Sequence, residues 1–369
     1  MRRLPGILLL TVATLIVIVA LLVSGLRLVL PQLDAWRPQL LEKISALTGT
    51  PVDASQIAAS WQTFGPTLDV RDIHVGLKDG GTMAVKRVTL ALDVWQSLLH
   101  MRWQFRDLTF WQLQVHTNTP IQTNDGGESL KTDRISDLFL RQFDHFTLRD
   151  SHLSFLTISG QRAELAVPQL TWLNGRNRHR AEGQLSLSSL TGQHGVMQVR
   201  MDLRDEDGLL NKGRVWLQAD DIDVKPWLGR WMQDNIALKS ARFSLEGWMT
   251  IEKGDVASGD VWLKKGGASW QGDNEVHHLS VDNLTAHLSH DKQSWAFYIP
   301  DTRIAIDDKP WPSGALAMAW IPGQDVGGDG HQRSDELRIR ASNLALSGLS
   351  GLQPFADKLA PSLGELWRT

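Results

Sequence analysis

Alternation of apolar and polar residues dominates the chain from Ser60 onward. Along residues 241–251 every second position is apolar, except at Gly247, and the positions between are mostly charged or polar. A period of two is typical of a β-strand with one face buried. Turn residues follow at 253–255, and Val261 and Leu263 resume the alternation. The pattern predicts a β-hairpin.

A second hairpin is predicted just before the first. Residues 197–203 and 215–219 alternate in the same way, and the acidic, glycine-containing stretch 205–208 separates them. Short helices are predicted at 94–99, at 135–139 and after Pro226. Further alternating runs lie at 85–94, 108–115, 279–288, 295–306, 316–320 and 337–346. We therefore expect a mainly β fold built on an antiparallel sheet.

A loose repeat runs through the predicted strands. An Asp or Asn is followed by Leu or Ile and then by polar and small or apolar residues, at irregular spacing. In several copies the alternation changes parity at the acidic or amide residue, which predicts β-bulges. The five copies begin at Asp72, Asp107, Asp221, Asn283 and Asn343.

The N-terminus is predicted to hold a membrane anchor. Residues 7–30 contain one charge, Arg27, and as a helix they would be about 36 Å long, enough to cross a bilayer. A cleaved signal peptide is the alternative, but the apolar run is long for one. Residues 1–6 would form a cytoplasmic tail. Residues 31–50 predict an amphipathic helix that caps the sheet or lies on the membrane surface, with capping favoured.

Composition narrows the classes of function. There are 38 Lys and Arg against 41 Asp and Glu, a net charge of -3, and no Cys. Nucleic acid is therefore not an expected partner, and cysteine chemistry is excluded. The common hydrolase and nucleotide-binding motifs are absent from the sequence, so we expect no enzyme and no cofactor.

Three groups of residues could have a functional role, but we expect each of them to have a structural role. The histidines would not converge as metal ligands, because neighbouring residues and residues three apart on a strand point to opposite faces. The aspartates could form a calcium cluster, but an acidic turn at a strand end accounts for them. The tryptophans, placed on the polar side of their strands, are expected to pack against neighbouring elements. The groups are His277, His278, His287 and His290; Asp220, Asp221 and Asp223; and Trp216, Trp248 and Trp262.

The apolar side of the predicted strands has two possible roles. A second sheet could cover it in a β-sandwich, which is the expectation from the pattern alone. A curved, open sheet could instead keep it exposed as a groove for acyl chains. The candidate groove residues are Val199, Met201, Leu203, Val215, Leu217, Phe243, Leu245, Met249, Ile251, Val261 and Leu263.

Long stretches of residues resemble the AsmA-like proteins of Gram-negative envelopes. They include residues 61–66 (Trp-Gln-Thr-Phe-Gly-Pro), 85–99, 105–111, 216–223 and 337–344. The resemblance covers nearly the whole chain and rests on no catalytic motif.

The resemblance implies an inner-membrane anchor followed by a periplasmic β-sheet, bent like a taco, over residues 51–369. Its hydrophobic groove would carry phospholipid between the inner and outer membranes, with other envelope proteins as possible partners. A structural or scaffolding role in envelope assembly, without lipid passage, is the alternative. Proteins of this type are several times longer, so the chain is expected to be an N-terminal portion of one.

Overall fold

The fold is taken from a computed structural model. It describes residues 14, 17–18, 20–21, 23–62, 65–76, 81–100, 104–120, 138–156, 162–188, 195–206, 208–225, 238–272, 275–291, 294–321 and 336–343. Two compact units divide the chain, with boundaries inside its fifth and sixth strands. The first unit comprises residues 1–115 and 132–151, and the second comprises residues 116–131 and 152–369.

The first unit begins with helices and continues as an antiparallel sheet. Strand β3 pairs with β1, β2 and β4. Its elements are a 3₁₀ helix Leu30–Trp36, α1 Arg37–Thr48, β1 Val52–Asp53, β2 Gln56–Gln62, β3 Gly65–Gly76, β4 Thr82–Leu92, α2 Val94–His100, the unit's share of β5 Phe105–Pro120, a π-helical turn Leu138–Gln142 and the unit's share of β6 His145–Leu156.

The second unit is a long antiparallel ladder in which successive strands pair from β7 to β14, and then β14 with β17 and β17 with β18. Strand β13 also pairs with β15, and β15 with β16. Besides its share of β5 and β6, the strands are β7 Arg162–Asn174, β8 Arg178–Ser188, β9 Gly195–Arg204, β10 Lys212–Asp223, β11 Leu238–Glu252, β12 Asp255–Gln271, β13 Val276–Asp291, β14 Ser294–Ile299, β15 Ile304–Ile306, β16 Lys309–Pro310, β17 Leu316–Ile321 and β18 Glu336–Ala341.

Both predicted hairpins form, and the mainly β prediction is confirmed. Strands β11 and β12 are joined by Lys253 and Gly254, whose φ angles of 55° and 87° are those of a tight hairpin turn. Strands β9 and β10 form the earlier hairpin. Among the pairings of the described strands, none closes the ladder from β18 back to β7, so the sheet of this unit is open.

Three of the five repeated acidic or amide residues mark irregular points in the strands, and Asp107 and Asn343 are not among the residues with a positive φ. Asp72, Asp221 and Asn283 have left-handed φ angles of 49°, 51° and 57°. At Asp221 the register with β11 shifts by one residue between Ala219 and Ile222, which is the predicted β-bulge. Asp and Asn tolerate this conformation better than other non-glycine residues, which explains their place in the repeat.

The helices before β1 pack onto the sheet of the first unit. Asp34 Oδ1 accepts a hydrogen bond of 2.9 Å from the backbone N–H of Ile57 in β2, and Ser45 Oγ accepts one of 2.9 Å from Val52 in β1. Gly49, with φ of 72°, ends α1. Residues 30–48 thus form two consecutive helices where a single helix was predicted.

Several predictions fall on residues outside the described ranges. The cytoplasmic tail 1–6, about half of the predicted anchor 7–30, part of the helix at 135–139, and the helix after Pro226 are among them. Residues 23–29 are helical. In the portion of the chain that is described, no helix is long and apolar enough to cross a membrane.

Candidate functional site

The register of the second unit decides which side chains share a face of its sheet. Val215 in β10 lies opposite Met201 in β9 and opposite Met249 in β11. Leu217, also in β10, lies opposite Val199 in β9. Because directly opposite residues point to the same side of a sheet, these five apolar residues form one surface across three strands.

The same surface continues across β12 in spite of three register shifts between β11 and β12. Leu263 lies opposite Leu245, and Val261 lies opposite Gly247. Two of the shifts insert one extra residue into β12 and the third inserts one into β11, and these apolar pairs stay in place. We call this surface the apolar face. All eleven predicted residues lie on it: Val199, Met201, Leu203, Val215, Leu217, Phe243, Leu245, Met249, Ile251, Val261 and Leu263.

The apolar face extends into β13, which the candidate set omitted. Leu284 lies opposite Leu263, Ala286 opposite Val261, and Leu288 opposite Gly259. The alternation of β13 changes parity at Asn283, so a single period of two misassigns half of this strand. The repeat that begins at Asn283 was the available signal.

The exposure of the side chains on the apolar face shows whether this face is a closed core or the surface of an open sheet. Leu203 is buried, with 6% of its surface exposed, but the other ten predicted residues are only half-buried. A covering second sheet would bury such side chains almost completely. The β-sandwich expected from the pattern alone is therefore wrong for this unit.

Two fully buried clusters lie at one end of the same strands. They occupy the ends of β9 to β12 nearest the β10–β11 connection, and half-buried side chains such as Leu217, Leu245 and Phe243 pack against them. The apolar burial that stabilises the sheet is therefore strongest at these strand ends, and the middle of the apolar face remains accessible. The clusters consist of Met197, Ala219 and Ile222, and of Leu238, Ala241 and Trp270.

The opposite face of the sheet is polar and carries tryptophan. Trp216 Nε1 donates a hydrogen bond of 3.1 Å to Glu246 Oε1, and the Arg200 guanidinium lies 5.1 Å from the centre of the Trp216 ring. Trp248 and Trp262 are 47% and 38% exposed. Trp262 Nε1 donates a hydrogen bond of 2.6 Å to Asn283 Oδ1 in β13, so Trp216 and Trp262 each contact a neighbouring strand. The sheet thus has one apolar and one polar side.

Ion pairs organise the polar side. Lys264 Nζ lies 3.1 Å from Glu246 Oε2 and 5.2 Å from the centre of the Trp262 ring. The hydrogen bonds from Lys264 and then Trp216 lower the pKa of Glu246. Glu246 therefore stays ionised, which keeps this face hydrated and unsuited to acyl chains.

A buried polar network closes the far end of the apolar face. His179, 1% exposed, shares the face with Leu203. Its Nδ1 lies 2.7 Å from Asn174 Oδ1 and its Nε2 lies 3.2 Å from Asp205 Oδ2. Trp172 Nε1 donates a bond of 2.7 Å to the same Asn174 oxygen. The network joins β7 and β8 to the turn after β9, and all its members are satisfied, so it is structural.

The histidines that were weighed as metal ligands have separate partners. His277 Nδ1 lies 2.8 Å from Asp307 Oδ2, while the ring of His290 stacks on Trp295 with centroids 4.1 Å apart. Within the described ranges, no group of three or more His, Asp or Glu side chains is arranged to hold a metal ion.

Comparisons with known proteins agree with this picture. The family model of the YhdP protein matches residues 1–369. The chain is 73% identical over 369 residues to the intermembrane phospholipid transporter YhdP of Escherichia coli (strain K12). The match covers 100% of this chain and 29% of the relative, so the chain spans less than a third of that protein. No solved structure matches the chain.

Fold and site together define a class of protein with an open antiparallel sheet and an accessible apolar face. The comparisons then assign the family: the chain belongs to the YhdP family. The resemblance inferred from the residues is confirmed at this level.

Proposed function

We propose that this chain is the membrane-proximal part of a lipid-transfer protein, and that its apolar face carries phospholipid. Acyl chains would lie along the middle of the face, and the headgroups would remain at its wet margin. The E. coli relative of the same family is named an intermembrane phospholipid transporter, which supports this proposal.

The half-burial of the apolar face carries the proposal. Ten of the eleven predicted side chains keep part of their surface accessible, on strands whose other side is charged. Each methylene of an acyl chain removed from water against such a face contributes about 0.8 kcal/mol. A lipid can therefore be held along the face by contact with aliphatic side chains, without a polar site and without chemistry.

The N-terminus would place the face next to a membrane. We propose that residues 7–30 span the bacterial inner membrane, with residues 1–6 in the cytoplasm and residues 51–369 in the periplasm. Residues 31–50 would cap the sheet, which is supported by the bonds from Asp34 and Ser45 to the first strands. A purely scaffolding role, the alternative, is favoured by no feature of the face.

Photo-crosslinking from adjacent positions of β11 tests the proposal. Met249 lies on the apolar face, whereas Thr250 is in register with Arg214 on the polar face. A benzophenone amino acid at each position, activated in cells, should give a phospholipid adduct at 249 and little at 250, as measured by mass spectrometry. Equal adducts at both positions, or none at 249, would contradict lipid passage along this face.

A further inference from the structure

Helix α2 of the first unit presents two large apolar side chains to solvent. Trp95 is 64% exposed and Leu99 is 76% exposed. Within the described ranges, comparable exposure of large apolar residues occurs at Leu21 and Leu28, with 67% and 74%. Leu21 and Leu28 belong to the predicted membrane anchor, so α2 resembles the anchor in the exposed fraction of its large apolar side chains.

Hydrogen bonds fix the orientation of α2. Ser97 Oγ accepts a bond of 2.9 Å from the backbone N–H of Gln104 and donates one of 2.6 Å to the carbonyl oxygen of Asp93. Asp93 Oδ1 accepts a bond of 3.0 Å from the N–H of Gln96. Ser97 therefore faces the start of β5. Trp95 and Leu99, four residues apart, share another side of the helix and face away from the sheet.

The residues around α2 have the composition of an interfacial segment. Residues 94–106 contain two Trp, two Arg and one His, and the nearest acidic residues are Asp93 and Asp107 at the two ends of this segment. Trp is enriched at the headgroup level of membranes, and Arg is attracted to anionic lipid. Tryptophan and arginine beside exposed aliphatic side chains are what a lipid surface binds, so the composition favours a lipid surface.

The first unit also lies close to the predicted anchor. Asp34 is four residues beyond residue 30, and its side chain is bonded to Ile57 in β2. Four residues span at most about 14 Å. If residues 7–30 cross the bilayer, β2 begins next to the membrane surface. Helix α2 lies beside Gly65 at the other end of β2, about 20 Å from Ile57 along the strand, and it reaches the same surface when the strand lies along the bilayer.

We propose that α2 is a second, peripheral membrane contact, with Trp95 and Leu99 inserted at the headgroup level of the bilayer that holds residues 7–30. This inference rests on the membrane anchor of the proposed function. Two points of attachment, one spanning and one peripheral, hold the first unit in a single orientation on the bilayer.

Spin labels on single cysteines test the contact, since the natural sequence contains no cysteine. Full chains carrying Leu99→Cys, Val17→Cys or Val196→Cys are placed in nanodiscs of phosphatidylethanolamine and phosphatidylglycerol. Val17 lies in the predicted anchor, and Val196, 53% exposed, lies on β9 as the aqueous control. Collision rates with oxygen and with a water-soluble nickel complex report the depth of each label.

We expect oxygen to dominate at positions 17 and 99 and nickel to dominate at 196. Nickel accessibility at 99 equal to that at 196, with 17 in lipid, overturns the α2 contact and leaves the anchor standing. Nickel accessibility at both 17 and 99 overturns the anchor as well. Protection of the 99 label from both reagents indicates a protein partner and also overturns the proposal.

A second set of variants separates insertion from proximity. The label is moved to Gln96→Cys, with and without the double change Trp95→Gln and Leu99→Gln. Both replaced side chains are exposed, so the thermal midpoint should not change, while the label should lose its preference for oxygen. An unchanged preference would show that Trp95 and Leu99 do not hold the helix in the membrane.

Discussion

An aspartate placed in the middle of the apolar face should be tolerated, whereas one placed in its buried part should not. Val261 is half-buried, and its cross-strand neighbours are the small residues Gly247 and Ala286. Leu284 lies one strand away on the same face and is 5% exposed. The two positions differ in burial and share a sheet, a face and an apolar side chain.

The expected losses of stability can be estimated from these environments. At Val261 the loss of partial apolar burial costs up to about 1.5 kcal/mol, and aspartate is a poor strand former by up to about 1 kcal/mol. At Leu284 the full burial of a leucine, about 1.5–3 kcal/mol, is lost, and an unpaired carboxylate adds several kcal/mol more. Against a total stability of about 5–15 kcal/mol, Val261→Asp should fold and Leu284→Asp should largely fail to fold.

Urea unfolding and mass spectrometry of co-purified lipid measure the two effects together. Folded Val261→Asp should carry less phospholipid than the natural protein, because a hydrated carboxylate excludes acyl chains from that segment. Val261→Asn, a neutral control, separates charge from loss of apolar surface. Unfolding of Val261→Asp as complete as that of Leu284→Asp would refute the open face, and undiminished lipid on the folded variant would remove Val261 from the lipid path.

Three further predictions concern stability. Gly247→Ala should raise the free energy of unfolding by about 0.5–1 kcal/mol, because an added Cβ would have no neighbour closer than 3.5 Å. Gly213→Ala should lower the free energy of unfolding, because φ is 149° at Gly213 and the added Cβ would lie 2.1 Å from a carbonyl oxygen. Denaturant titration that gave both changes the same sign would be contrary to this reasoning. His179→Leu should cost about 0.5–1.5 kcal/mol by removing the hydrogen bonds to Asn174 and Asp205, and a stability equal to that of the natural protein would show that these bonds contribute nothing to folding. His145 Nδ1 lies 3.0 Å from Asp144 Oδ2, and this hydrogen bond raises the pKa of His145, whereas burial opposes the rise. The stabilisation by this bond is complete below about pH 6.5 and is lost as the pH rises through the raised pKa. The thermal midpoint should therefore fall between about pH 6 and pH 8 in the natural protein, and it should fall less in His145→Asn.

Local pattern was sufficient to predict the strands and the face of the second unit. The alternation in β11 and the turn residues at 253–254 specify a hairpin, because a hairpin turn and a period of two each restrict the backbone directly. The eleven residues chosen from alternation therefore lie on one face. Their role in binding lipid stays a prediction.

The alternation of apolar and polar residues could not predict the register shifts or the burial of each side chain. Whether a residue of β12 is an extra, unpaired residue depends on its register with the neighbouring strands. Lys264 is such a residue, and nothing in the sequence around it indicates this. Alternation also indicates which side of a strand is apolar, but it does not indicate whether a second sheet covers that side. The choice between a sandwich and an open sheet therefore required the exposure of each side chain.

Polar residues on the apolar side were a signal that could have been used. His179 continues the apolar-side positions of β8, which include Ala181, Gly183 and Leu185. A histidine in such a row must be paired or exposed, because burying an unpaired polar ring is costly. Its partners, Asn174 and Asp205, lie on other elements and could not be named before the pairing of β7, β8 and β9 was known.

An open sheet must remain folded while one side of it stays partly apolar and accessible. In β9 to β12 the tightly buried side chains are concentrated near strand ends, as at Ala219, which is 0% exposed, and Trp270, which is 1% exposed, whereas β13 is buried at mid-strand, at Leu284. Ladder hydrogen bonds and the ion pairs of the polar side stabilise the strands between. The middle of the apolar face, around Val215 and Met249, therefore contributes less to folding than its composition suggests, and the burial that folding leaves incomplete there is the free energy that an acyl chain would gain. This division explains why substitutions at half-buried positions of the face should change lipid binding before they change stability, whereas substitutions at its buried positions should do the reverse.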